Sequence, residues 1–159
     1  MPGQFLHGVE VVQIDNGTRP ISTVKSSVIG MVGTAPDADA TAFPLNTPVL
    51  VAGSRLEAAK LGSDGTLPMG IDGVFDQVGA FVVVVRVEEG ADAAGTLANV
   101  IGGVSAGGDY EGLQALLAAE DQTGVVPRLL VCPGFSDQEA LVTEMISIAD
   151  TLRAVAIAD

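Results

Sequence analysis

SSVIGMVGTAPDAD, residues 26–39, is the stretch on which the fold turns. An apolar run carries two glycines three apart, Gly30 and Gly33, and stops at Pro36. Such a segment is either a phosphate-cradling loop or a buried strand. A Walker loop needs GxxxxGK followed by Ser or Thr at the start of a helix, and no lysine follows here. A dinucleotide loop needs a third glycine and an immediate helix, whereas Pro36 and a polar run follow. The pattern therefore predicts a buried strand over 27–35, apolar on both faces, whose glycines allow close packing against neighbours.

Working outward, 36–48 is a loop by composition and 49–52 a short strand. Ser54 is a candidate N-cap, with Glu57 three residues on, for a helix that ends at Gly62. LPMGIDGVFDQVGA (67–80) predicts a second helix, with Ile71, Val74, Phe75 and Val78 at helical spacing. FVVVVRV (81–87) is the clearest strand. Residues 91–103 read equally as helix or strand. GLQALLAA (112–119) is helical, with Leu113, Leu116 and Leu117 on one face. RLLVC (128–132) is a buried strand ended by Pro133-Gly134. Asp137 is the expected cap of a helix reaching about Arg153, with Leu141, Met145, Ile148 and Leu152 inward. AVAIAD (154–159) is a further buried strand. The alternation predicts an α/β fold with a mixed, mainly parallel sheet flanked by helices. A buried strand with nothing after it predicts a fold incomplete at the C-terminus, the front of a longer protein.

The first twenty residues differ. FLHGVEVVQIDNGTRP holds an extended segment, 8–15, and a turn cluster, DNGTRP. Two regions are expected: an N-terminal arm over 1–20 and the front of a core domain over 21–159. A lone terminal strand needs a partner for its backbone donors, in its own domain or in another chain.

Composition excludes several classes. The chain has 159 residues, seven Lys and Arg against twenty Asp and Glu, and a net charge of −13. That surface repels phosphate backbones, so no direct nucleic-acid partner is expected. Hydrophobic residues make up 48% and mean hydropathy is +0.46. Yet the longest strongly apolar run, 80–85, is cut by Arg86, and a membrane span needs about 20 residues. No basic region precedes an apolar run at the N-terminus, so no secretory signal is expected. One cysteine, Cys132, and one histidine, His7, exclude a disulfide framework and multi-histidine or cysteine-rich metal sites. Asp37 and Asp39 do not open a calcium loop, since Ala42 stands where its glycine belongs and Pro48 where its glutamate belongs. Cys132 lies at a strand-to-helix junction, where α/β folds often carry sites. A thiolate there needs a cationic neighbour, and a buried structural cysteine is the expected reading. Ser136 lies in no GxSxG elbow and is expected, with Asp137, to cap a helix. No catalytic, metal or cofactor residue is therefore expected. An apolar, glycine-rich chain with no assembled catalytic set points to a structural or assembly protein.

FLHGVEVVQIDNGTRPI (5–21), KSSVIGMVGTAP (25–36), FVVVVRVEEG (81–90), NVIGGV (99–104), GLQALLAA (112–119), PRLLVCPGFSD (127–137) and ADTLRAVAIAD (149–159), in that order, resemble the contractile tail sheath proteins of temperate phages and R-type bacteriocins. The resemblance runs over essentially the whole chain, and members of that family are considerably longer. It implies a subunit that polymerises around an inner tail tube, without cofactor, nucleic-acid or membrane partner. It implies partners in other copies of the chain, the tube protein, and baseplate and tail terminator proteins. The location implied is the virion tail, after synthesis in the host bacterial cytoplasm. The N-terminal arm would add a strand to a neighbour through Phe5, Leu6, Gly8, Val9, Val11, Val12 and Ile14, about a hinge at Asn16 and Gly17. Arg19 and Lys25 are candidate charges between subunits, with Arg55, Lys60, Arg86, Arg128 and Arg153 as further counterparts on an acidic neighbour. A bacteriocin sheath is the near alternative, and a small nucleotide-binding α/β enzyme domain the alternative of another class.

Overall fold

A computed structural model describes residues 27–158. The arm residues and Arg19 and Lys25 lie outside that range. Seven strands and five α-helices follow in order: β1 (Ile29–Thr34), β2 (Pro48–Ala52), α1 (Arg55–Ala58), α2 (Thr66–Gln77), β3 (Phe81–Val87), α3 (Ala93–Ile101), β4 (Gly103–Val104), β5 (Tyr110–Glu111), α4 (Ala119–Thr123), β6 (Leu129–Val131), α5 (Glu139–Leu152) and β7 (Val155–Ile157). Short 3₁₀ segments extend α1 over Ala59–Leu61 and precede α4 over Gly112–Ala118.

The main sheet has the order β2-β3-β1-β6-β7. β1 pairs parallel with β3 and with β6, and β6 pairs parallel with β7. Only β2 runs antiparallel, on the outer side of β3. The fold is thus α/β with a mixed, mostly parallel sheet, as the alternation predicts.

β3 shows why the sheet is buried twice over. Its side chains alternate, and both sets are apolar apart from Arg86 near its end. Val82 and Val84 join Met31, Leu61, Leu67, Ile71 and Phe75 under α1 and α2. Val83, Val85 and Val87 join Val28, Val32, Val100, Leu113, Leu116, Leu130, Leu141 and Met145 under the remaining helices. Each fully buried side chain of this kind contributes about 1.5–3 kcal/mol by leaving water.

Local chemistry sets most boundaries. The Ser54 hydroxyl accepts from the Glu57 amide at 3.2 Å and starts α1. The stretch 91–103, ambiguous by pattern, folds mainly as α3, because the Asp92 carboxylate accepts from the Gly95 amide at 2.6 Å. Gly102, at φ 67, then ends the helix. Three expectations need correction. Asp137 does not cap α5. The Phe135 amide bonds the Cys132 carbonyl and the Gln138 amide bonds the Phe135 carbonyl; these turns put Gln138 at the cap position, with no side-chain bond. Val78 leaves the inward face of α2, because the chain turns extended there, and it is exposed. The last strand is not buried: β7 lies at the edge of the sheet that the described residues form, and its Val155 and Ile157 side chains are exposed.

Candidate assembly surfaces

In a parallel α/β sheet, ligands bind beyond the carboxyl ends of the strands, where the connections diverge to either side. Here that point lies between β1 and β6, and the chain itself fills it. The Thr34 amide donates to Thr66 Oγ1 at 3.1 Å, and the Thr66 amide donates to Thr34 Oγ1 at 3.4 Å. The first amide of α2, the kind that cradles a phosphate, is already engaged. A Cβ on Gly33 would lie 2.4 Å from Thr66 Oγ1, and one on Gly65 2.4 Å from the Thr34 carbonyl oxygen. Gly30 admits the Pro127 and Leu116 side chains in the same way on the other face. The glycines serve close packing, as their context in the sequence indicates.

Cys132 ends β6 inside the core, 1% exposed. Burial pushes its thiol up to about 12, against a smaller lowering by a hydrogen bond that the sulfur accepts from the Val32 backbone. A thiol so held is not a nucleophile at neutral pH. Among the described residues, no three His, Cys, Asp or Glu come together as a metal site, and no helix is long and apolar enough to cross a membrane.

What the described residues do offer is edges and hollows. Among the described residues, β7 has a strand partner on one side only. The Val155 amide points inward to the Arg128 carbonyl at 2.8 Å, so by strand alternation Ala156 turns its N–H and C=O outward. α1 and α2 pack over β1 and β3 but leave this end of the sheet bare, and Val155 and Ile157 lie there 59% and 47% exposed. At the other end of the molecule, β4 and β5 form a small antiparallel hairpin with Val104 opposite Tyr110. Two hollows flank the hairpin, of about 460 and 380 Å³, and both are lined by Leu45, Asn46 and Glu111. The hairpin left no signal in the sequence: each strand has two residues, too few for periodicity.

Three of the candidate basic counterparts turn inward or are paired. Arg55 bonds the Phe75 carbonyl at 2.7 Å and Asp76 at 2.8 Å. Arg86 donates to the carbonyls of Phe43 and Ala35. Arg128 caps the end of α5 through the carbonyls of Leu152 and Arg153. Lys60 and Arg153 remain exposed.

Comparison with known proteins gives one consistent answer. Residues 26–87 match the family described as Tail sheath protein Gp18 domain III N-terminal region. The chain is 45% identical over 156 residues to the tail sheath protein of Escherichia phage P2, covering 94% of this chain and 39% of that protein. It is 41% identical over 159 residues to the major tail sheath protein of Serratia phage KSP20, covering 97% of this chain and 40% of that one. It is also 41% identical over 156 residues to a prophage major tail sheath protein of Pseudomonas aeruginosa, covering 98% and 40%. The chain thus spans about two fifths of the length of these curated relatives.

Proposed function

The chain belongs to the phage tail sheath family, and from that premise we propose that it builds, with other copies of itself, a contractile sheath around an inner tail tube. The sheath shortens and drives the tube through the host envelope. No nucleotide is hydrolysed: the extended polymer is metastable, and contraction releases the difference between two packings of the same subunits. The tube, the baseplate and the tail terminator are its proposed neighbours, the virion tail its place, and the host cytoplasm the site of its synthesis. Residues 1–20 act as an arm ahead of the core. Phe5 to Ile14 supply a strand to a neighbour, and Asn16-Gly17 let that strand swing as the lattice changes shape.

The observation that carries this reading is the edge of β7, which the described residues leave open. A strand with outward amide and carbonyl groups and bare apolar side chains is a template for another strand. Pairing across it joins subunits through main-chain hydrogen bonds that survive changes of angle. The plugged divergence between β1 and β6 weighs against the nucleotide-enzyme alternative at the place where such a fold would hold its ligand.

Negative-stain electron microscopy of the protein made from its complete reading frame tests the proposal. Hollow ridged tubes are expected. Dispersed particles at high concentration, with and without the tube protein, would overturn it.

A further inference from the structure

The two hollows beside the β4–β5 hairpin have closely packed, hydrogen-bonded walls. At the hairpin root the backbone passes so close that a Cβ on Gly102 would lie 2.0 Å from the Glu111 carbonyl oxygen. On the opposite wall the Asn46 amide donates to the Arg86 carbonyl at 2.8 Å, and Asn46 Oδ1 accepts from the Gly112 amide at 3.0 Å. Asn46 holds φ 53, a left-handed conformation that asparagine tolerates better than most residues. The hollows therefore exist before anything enters them, which lowers the ordering cost of binding.

Their chemistry is specific. Leu45, Val104 and Tyr110 present exposed apolar side chains, 41%, 59% and 43% accessible. Glu88, Asp109 and Glu111 supply carboxylates, and neither hollow is lined by Lys or Arg. The complement is an extended segment with apolar side chains between two cations. Of the seven basic residues, Arg55, Arg86 and Arg128 are already engaged within the chain. Among the rest, only Arg19 and Lys25 come as a close pair, in RPISTVK, with Ile21 and Val24 between them.

We infer that these hollows receive the Arg19–Lys25 segment of a neighbouring copy. The inference rests on the polymer reading and gives that polymer a specific joint. The same chain's Lys25 does not reach. Gly33 stands opposite Arg86 in the β1–β3 register, and Ser27 lies six residues upstream of Gly33, just ahead of β1, up to about 20 Å away at the rise of a strand. The two residues from Ser27 to Lys25 span about 7 Å. The joint thus links the amino end of one sheet to the carboxyl end of the next. Such a heterologous contact does not close on itself and propagates as an open helix.

Cross-linking in the complete subunit tests this. Lys25→Cys and Val104→Cys are made in separate chains, mixed, and treated with a short bis-maleimide; Cys132, buried, stays silent. A covalent dimer that forms only in the mixture is expected. Glu111→Lys should raise the concentration needed for assembly several-fold, and Lys25→Glu on the same chain should restore it. Tubes visible by microscopy without the dimer overturn the joint and leave the sheath reading standing. A Lys25→Cys/Val104→Cys double variant that cross-links only within one chain overturns it as well. Absence of tubes from the unaltered protein defeats both readings together.

Discussion

A Cβ built on Gly33 falls 2.4 Å from Thr66 Oγ1, and that hydroxyl cannot swing away without abandoning the Thr34 amide it accepts from at 3.1 Å. Gly33→Ala should therefore act as overpacking, which costs about 1–3 kcal/mol. For a domain of this size each kcal/mol lowers Tm by about 2–4 °C, so that cost of about 1–3 kcal/mol should appear in calorimetry as a drop of about 2–12 °C. Gly73 is the control: it lies in α2 with nothing within 4 Å of a Cβ, and Gly73→Ala should leave Tm unchanged or raise it, because alanine favours helix by about 1 kcal/mol. Equal losses from both would mean that close approach is not what Gly33 provides. Cys132 gives a second test. Its thiol is raised from 9.0 to about 12 by burial. A group whose folded pKa is raised stabilises the fold below its unfolded pKa, and that contribution fades as pH climbs from about 9 toward 12. Thiol reagents at pH 8 should label Cys132 only in denaturant. The urea midpoint should fall above pH 9, and less so in Cys132→Ala. Rapid native labelling at pH 8 would refute the buried reading.

At the scale of elements, the open edge of β7 makes a sharper demand. Ala156→Pro removes the amide that faces outward while keeping the Val155 bond to Arg128, and proline is tolerated at strand edges when the missing donor faces solvent. Tm should move little, whereas tube formation seen by microscopy should be lost. Normal tubes from a folded Ala156→Pro would show that this edge takes no strand. The sequence announced some elements and hid others for physical reasons. β3 was plain, because a strand buried on both faces must be apolar throughout. β1 was plain once Pro36 and the missing lysine removed the phosphate loop. The reversed direction of β2 was not legible, since alternation records burial and not polarity. Nor was the exposure of β7, since Val-Ala-Ile reads alike at the centre and at the rim of a sheet. The end of α5 is set by Arg153 at φ 53, braced from the start of the neighbouring β6 by Arg128, and no cap glycine marks it. The hollows were hidden for the same reason: Asn46 and Gly112 are 66 residues apart along the chain.

At the scale of the whole molecule, charge and assembly pull against each other. Each subunit carries −13, and three of its seven basic residues are engaged within the fold, so copies repel at long range. The attractive elements proposed here are short in range: a main-chain ladder at β7, and apolar contacts framed by cations at the hairpin hollows. Salt separates the two. The screening length falls from about 30 Å at 0.01 M to about 8 Å at 0.15 M, which removes repulsion between whole subunits and leaves contact-range bonds largely intact. Light scattering of the complete subunit should therefore show the concentration for polymerisation falling several-fold over that range. Lys25→Glu, which adds two negative units and removes a cation from the joint, should make the dependence steeper. Assembly that weakens steadily with salt instead would mean that ion pairs dominate the lattice, and the apolar edge of β7 would lose its place as the principal contact.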